Sequence, residues 1–211
     1  MEQIVIIPAD SVELDGILYM PKKAQAVVIF AHGSGSSRHS KRNKFVATVL
    51  NDAGIGTLLF DLLTMEEDAT YENRFNIELL TKRLEAATRW VKNQPQLKGI
   101  SIGYFGASTG AASALFAAAG MGEEIRAVVS RGGRPDLAKK ALHLVKSPTL
   151  LIVGGLDDVV IGLNQEAYDL IQAKKELKII PGATHLFEEP GKLEETANLA
   201  AEWFRTYLLS P

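Results

Sequence analysis

Cysteine is absent from this 211-residue chain, which excludes disulfide scaffolds, cysteine-ligated zinc and thiol catalysis. Neither charge dominates: 23 Lys and Arg stand against 25 Asp and Glu, a formal net charge of −2. Such a chain has no overall attraction for nucleic acid or for an anionic membrane surface, and neither partner is expected. Long apolar runs are missing as well. The alanine-rich stretch 111–119 contains polar Ser113 and falls far short of the roughly 20 residues that a membrane span requires. Met1 and Glu2 lead into a short strand-like stretch rather than a basic flank and apolar core, so no secretory signal is read and a soluble cytoplasmic protein is expected. A hydrophobic content of 46% suffices for one substantial core. With no repeat, linker or break in composition, residues 1–211 are expected to form a single domain.

What is present is a succession of short apolar runs. Residues 3–7 and 12–20 look like two strands of an edge hairpin, turning at Pro8-Ala9-Asp10-Ser11. From Ala26 onward the runs are short and mainly apolar: 26–31, 55–60, 100–105, 125–129, 149–153 and 177–180. Runs of that length read as parallel strands buried on both faces. Between them Phe45, Val46, Val49 and Leu50 mark one helix, closed by Gly54, and Leu80, Leu84, Ala87 and Val91 mark another that must end before Pro95. Leu193, Ala197, Ala200, Phe204 and Leu208 give a last amphipathic helix. The sum is an α/β fold of about eight mostly parallel strands with helices on both faces. Loops leaving the carboxyl ends of such strands converge on one edge, where ligands bind. Residues 61–75 offer at most a small flap and no large lid.

Gly106-Ala107-Ser108-Thr109-Gly110 stands between the strand at 100–105 and the helical run from Ala111. A sharp strand-to-helix turn exposes the central serine and sets it beside free helix N–H groups suited to an oxyanion. The pentapeptide alone arises by chance in roughly one chain of this length in fifteen. Gly99-Ile100-Ser101-Ile102-Gly103 fits the same pattern, but its serine falls at the start of a strand. Ser101 is therefore read as structural and Ser108 as the nucleophile candidate.

A serine hydroxyl needs a base, usually a histidine held by a carboxylate. Of His32, His39, His143 and His185, only His185 follows the last short strand, in Pro181-Gly182-Ala183-Thr184-His185. His143 falls in a helical stretch and reads as an ordinary helix residue. Either Asp157 or Asp158, after Gly154-Gly155, can supply the acid, although an aspartate after paired glycines is most often turn chemistry. Serine, acid, histidine is the chain order of α/β-hydrolases.

On these motifs, and on Val27-Val28-Ile29-Phe30-Ala31-His32-Gly33, the chain resembles an α/β-hydrolase of the small, lidless, dienelactone-hydrolase-like kind, nearly end to end. The resemblance implies Ser108 as nucleophile, His185 as base and Asp157 as acid. Dienelactone hydrolases proper carry cysteine where this chain has Ser108, so the expectation moves to serine esterase chemistry on small or short-chain acyl esters. No metal or organic cofactor is needed. The loop His32-Gly33-Ser34-Gly35-Ser36-Ser37 matches the usual place of the second oxyanion donor, implying the backbone N–H of Ser34 together with that of Thr109. His32 then braces this loop.

Three features have blander readings beside the functional ones. Arg38, His39, Lys41, Arg42 and Lys44 could attract an anion, but a solvated face explains them as well. Glu66, Glu67, Asp68 and Glu72 read as solvent-facing. Arg131 or Arg134 could reach the pocket, or serve as structural salt-bridge partners. Two competing functions remain: a small-molecule-binding module on the same scaffold, and dinucleotide binding at Gly33-Ser34-Gly35. The second is disfavoured because its next required glycine or alanine is Arg38.

Overall fold

The computed structural model describes residues 2–209. Its apolar runs form β1 (Glu2–Ala9), β2 (Val12–Tyr19), β3 (Ala26–Ala31), β4 (Gly56–Phe60), β5 (Ser101–Ala107), β6 (Ile125–Arg131), β7 (Thr149–Gly154) and β8 (Lys175–Ile180). They make one eight-stranded sheet in the order β1-β2-β4-β3-β5-β6-β7-β8. β1, β2 and β4 pair antiparallel, and every pairing from β4 through β3 to β8 is parallel.

The hairpin turn is tighter than the four residues expected. Pairing continues through Pro8 with Glu13 and Ala9 with Val12, leaving Asp10 and Ser11 to turn the chain, with Asp10 at φ 54°. Pro8 is tolerated because β1 is an edge strand, where a missing N–H breaks no ladder.

The helices are α1 (Lys41–Asp52), α2 (Met65–Asp68), α3 (Ile77–Asn93), α4 (Thr109–Met121), α5 (Asp158–Leu170) and α6 (Lys192–Leu208). Alternation along β3 divides the core. Val28 and Phe30 face α1 and α6, with Leu50, Ala197 and Phe204, whereas Val27, Ile29 and Ala31 face α3 and α4, with Leu84, Val91 and Leu115. Leu80, Leu84, Ala87 and Val91 are all buried, and α3 stops at Asn93, ahead of Pro95. In α1 the buried face is Asn43, Val46, Ala47 and Leu50. Phe45, expected on that face, is 38% exposed, because the stripe runs at i, i+3, i+4 and i+7 from Asn43 and leaves Phe45 beside it.

Two local expectations need correction. The run 177–180, expected to be buried on both faces, lies in β8, the outer strand of the sheet, where Ile180 alone is buried. His143 does lie on a helical stretch, the 3₁₀ segment Pro135–Leu144, and is exposed on it. The acidic residues after Asp61 are not all solvent-facing. Thr64 and Glu67 form a capping box on α2, and Glu67 also accepts from Arg83 Nη2 at 2.6 Å, while Asp68 takes Arg74 Nη2 at 2.8 Å. These pairs hold residues 61–75 down as an ordered rim.

Candidate active site

The site starts with the turn between β5 and α4. Ser108 has φ 52° and ψ −122°, a conformation costing a non-glycine residue about 1–3 kcal/mol. Its surroundings enforce it. The Ser108 N–H donates to the Arg131 carbonyl at 3.2 Å, and the Ser108 carbonyl accepts from the N–H groups of Ala111 at 3.0 Å and Arg134 at 3.1 Å.

The flanking glycines supply room rather than unusual dihedrals. A Cβ on Gly106 would lie 2.4 Å from the Ala111 Cα, and one on Gly110 would lie 2.2 Å from the Ala31 carbonyl oxygen. Backbone stands in the way at both positions, so neither clash can be relieved by a rotamer change. Gly110→Ala is expected to cost about 3 kcal/mol or more, lowering the melting midpoint by roughly 6–12 °C. A calorimetric midpoint within a degree of the wild type would contradict this.

His185 and Asp157 come from adjacent strands. The loops after β7 and β8 are tied together where the Gly155 N–H donates to the Ile180 carbonyl at 2.8 Å and the Leu156 N–H to the Ala183 carbonyl at 2.9 Å. Phe187, fully buried, anchors the histidine loop. Within this frame His185 Nδ1 donates to Asp157 Oδ2 at 2.6 Å. Asp157 is the N-cap residue of α5 but makes no side-chain cap bond, so its carboxylate serves the imidazole instead. Asp158 is exposed at the first position of α5. From below, Gly132 at φ 52° packs so closely that a Cβ there would lie 3.2 Å from the His185 carbonyl oxygen.

Ser108 and His185 line one cleft of about 220 Å³, shared with Ser34, Ser36, Ser40, Arg42 and Arg131. Among the described residues the His185 ring makes its hydrogen bond to Asp157 and none to Ser108, a contact that commonly tightens only when substrate is bound. A wider cleft of about 660 Å³ adjoins it across Ser36, lined by Asp15, Arg38, Asp61 and Asp68 among others. Ser101 lies at the opposite, amino end of β5.

The two oxyanion candidates are neighbours, but not as two free donors. The Ser34 N–H donates to the Thr109 hydroxyl at 2.9 Å, so it is engaged by the residue whose own N–H was to be its partner. Thr109, as the first residue of α4, keeps an N–H without an intrahelical acceptor. His32 braces the loop from beneath: the Leu62 N–H donates to Nε2 at 3.0 Å, and Nδ1 donates to the Gly33 carbonyl at 2.9 Å. Accepting at Nε2 requires the neutral ring, and burial pushes its pKa below the ordinary histidine value.

The basic residues separate by role. Arg38 is held by Asp61 and by Asp15, and Arg134 pairs with Asp136 at 2.7 Å. Arg42 and Arg131 enter the cleft. The signal that separates the two arginines is local: Asp136, two positions on, pairs with Arg134, whereas Arg131 is followed by two glycines and lines the cleft.

A mostly parallel sheet whose central strand passes through a serine at positive φ into a helix is the α/β-hydrolase architecture. The chain belongs to the dienelactone hydrolase family, which it matches over residues 14–208. It is 54% identical to the dienelactone hydrolase of Anabaena variabilis ATCC 29413, whose crystal structure matches it with a TM-score of 0.97 over 99% of this chain and 98% of that one. A lidless α/β serine hydrolase of Xanthomonas campestris shares the fold at a TM-score of 0.77 and 22% identity, over 100% of this chain and 96% of that one. A Mycobacterium tuberculosis H37Rv protein named "Putative phosphoribosyl transferase" is 55% identical over 210 residues, 100% of this chain and 47% of its own length. The chain thus spans about half the length of the curated relatives it matches. Among the described residues no helix is long and apolar enough to cross a membrane.

Proposed function

We propose that the chain is a serine hydrolase cleaving carboxylic esters of small or short-chain acyl groups, with Ser108 as nucleophile, His185 as base and Asp157 as the residue orienting it. The observation that carries this reading is the 2.6 Å contact of His185 Nδ1 with Asp157, on a histidine that shares its cleft with Ser108. With Nδ1–H held by the carboxylate, Nε2 keeps its lone pair and is the atom that can take the Ser108 proton.

Ser108 Oγ attacks the ester carbonyl as its proton passes to His185 Nε2, giving a tetrahedral oxyanion. Collapse expels the alcohol, which receives that proton, and leaves the acyl group on Ser108. Water, deprotonated by His185, attacks the acyl-enzyme, and the second collapse releases the acid and returns the proton to Ser108. The oxyanion is stabilised by the Thr109 N–H and by the Ser34 N–H once it turns from the Thr109 hydroxyl; one such donor is worth about 2.7–4 kcal/mol in the transition state. The cleft of about 220 Å³ favours short acyl groups.

The transferase name of the longer relatives belongs, on this reading, to the half of those proteins that this chain does not span. The hydrolase half is taken to work as one soluble cytoplasmic domain on a small-molecule substrate.

Intact mass after exposure to a fluorophosphonate, which phosphonylates activated serines, tests the reading. One adduct is expected on the wild type and on Ser101→Ala, and none on Ser108→Ala. A folded wild type that takes no adduct would overturn the hydrolase assignment in favour of a binding module on the same scaffold.

A further inference from the structure

We propose that the cleft beside Ser108 is a phosphate subsite, formed by Arg131, Arg42 and the amino end of α1, so that the ester cleaved is a small one carrying a phosphomonoester group. This rests on the hydrolase reading for the word ester, and on its own observations for the phosphate.

Arg131 is 7% exposed, ends β6 and gives its carbonyl to the Ser108 N–H. Its guanidinium lies over the Phe105 ring at 6.0 Å, and its buried Nε and Nη1 have no hydrogen-bond partner among the described residues. Nor, among the described residues, does an acid lie within ion-pair distance, in contrast to Arg134 and Arg38. Burial pushes its pKa down to about 10, and the like charge of Arg42 acts in the same direction. It is still a cation at neutral pH. A buried, unpaired guanidinium is costly to the fold, and a strand end is a simple place to avoid one.

Arg42 reaches the same cleft from α1. Its Nη1 donates to Glu188 at 2.5 Å, while its buried Nε has no partner among the described residues. The amino end of α1 opens here too. Ser40 caps it through the Asn43 N–H, and its first turn has no acidic residue but Lys41, Arg42 and Lys44. Cations at that end oppose the helix dipole. An anion seated against the helix N–H groups would reverse the sign of the interaction.

Two guanidinium groups, a helix amino terminus and the hydroxyls of Ser36 and Ser40 thus surround one small volume. A planar carboxylate is satisfied by the fork of one arginine, whereas donors arriving from several elements match a tetrahedral dianion with three free oxygens. Ser108 stands on the wall of the same cleft, so a phosphate held there places an ester a few atoms away against the nucleophile.

Thermal denaturation of the full chain tests this with inorganic phosphate as the probe, against chloride at equal ionic strength, on wild type, Ser108→Ala, Arg131→Met and Arg42→Gln. Phosphate should raise the wild-type and Ser108→Ala midpoints saturably, as a ligand of the folded state does. Arg131→Met should bind phosphate about ten- to a hundredfold more weakly, yet melt no lower than wild type in chloride, since it removes an unpaired buried charge. Arg42→Gln, at a partly exposed position, should weaken phosphate as well and covers the case in which Arg131→Met does not fold. A phosphate shift no larger than that of chloride, one unchanged in Arg131→Met or Arg42→Gln, or an Arg131-dependent shift by acetate in place of phosphate would each overturn the proposal. Because the Ser108→Ala protein enters the measurement, the subsite can fail while fluorophosphonate labelling succeeds, and the reverse.

Discussion

Replacing Ser108 with alanine is expected to lower turnover of a p-nitrophenyl ester by about four to six orders of magnitude. The size follows from the interdependence of the three groups. In the proposed mechanism, loss of the hydroxyl leaves His185 no proton to take and Asp157 no imidazolium to stabilise, so one deletion removes what all three would do together. What remains is binding and oxyanion stabilisation of attack by water. The fold should survive, because alanine at φ 52° is strained no more than serine and the hydrogen bonds of the elbow are made by the Ser108 backbone. Steady-state rates with a matched melting curve check both parts. A variant that keeps more than about a hundredth of wild-type turnover would remove Ser108 from the role of nucleophile.

Asp157→Asn is expected to cost about four orders of magnitude, with the geometry left in place. An amide at this position can donate to Nδ1, favouring the tautomer that carries its proton on Nε2, the atom that in the proposed mechanism accepts from Ser108. The stability change should be small. As the N-cap of α5, Asp157 makes no side-chain cap bond, so the substitution breaks no helix contact. Asp158→Asn is the internal control: Asp158 is exposed at the start of α5 and should leave turnover within about a factor of two, the ordinary range for a surface change. Equal losses in the two variants would mean that the carboxylates act through general charge rather than through the 2.6 Å contact with His185.

The strands of the central sheet were legible because a segment buried on both faces has little choice of composition. Ala26–Ala31 is read from its sequence and found with the same bounds. α5 was not legible in the same way. It buries only Val160, Asn164 and Ala167 and leaves Val159 76% exposed, so its periodicity is faint and its polar buried residue misleads. Asn164 is held instead by tertiary contact, donating to the Gly133 carbonyl at 3.0 Å.

What the sequence determined by itself was the order of chemical groups along the chain and the edge of the sheet at which each would emerge. Ser108 and Asp157 each follow a strand that apolar composition identifies, His185 follows the more polar outer strand β8, and parallel strands deliver their carboxyl ends to one side. What only the tertiary structure decided was which donors and charges are already spent. Ser34 offers its N–H to the Thr109 hydroxyl, 75 residues away in the chain, and Arg131 is buried with Nε and Nη1 unpartnered among the described residues. Composition fixes that a charged or polar group exists. Whether it has a partner depends on which distant segment packs against it, and hydrogen bonds and ion pairs act over a few ångströms that no local pattern encodes.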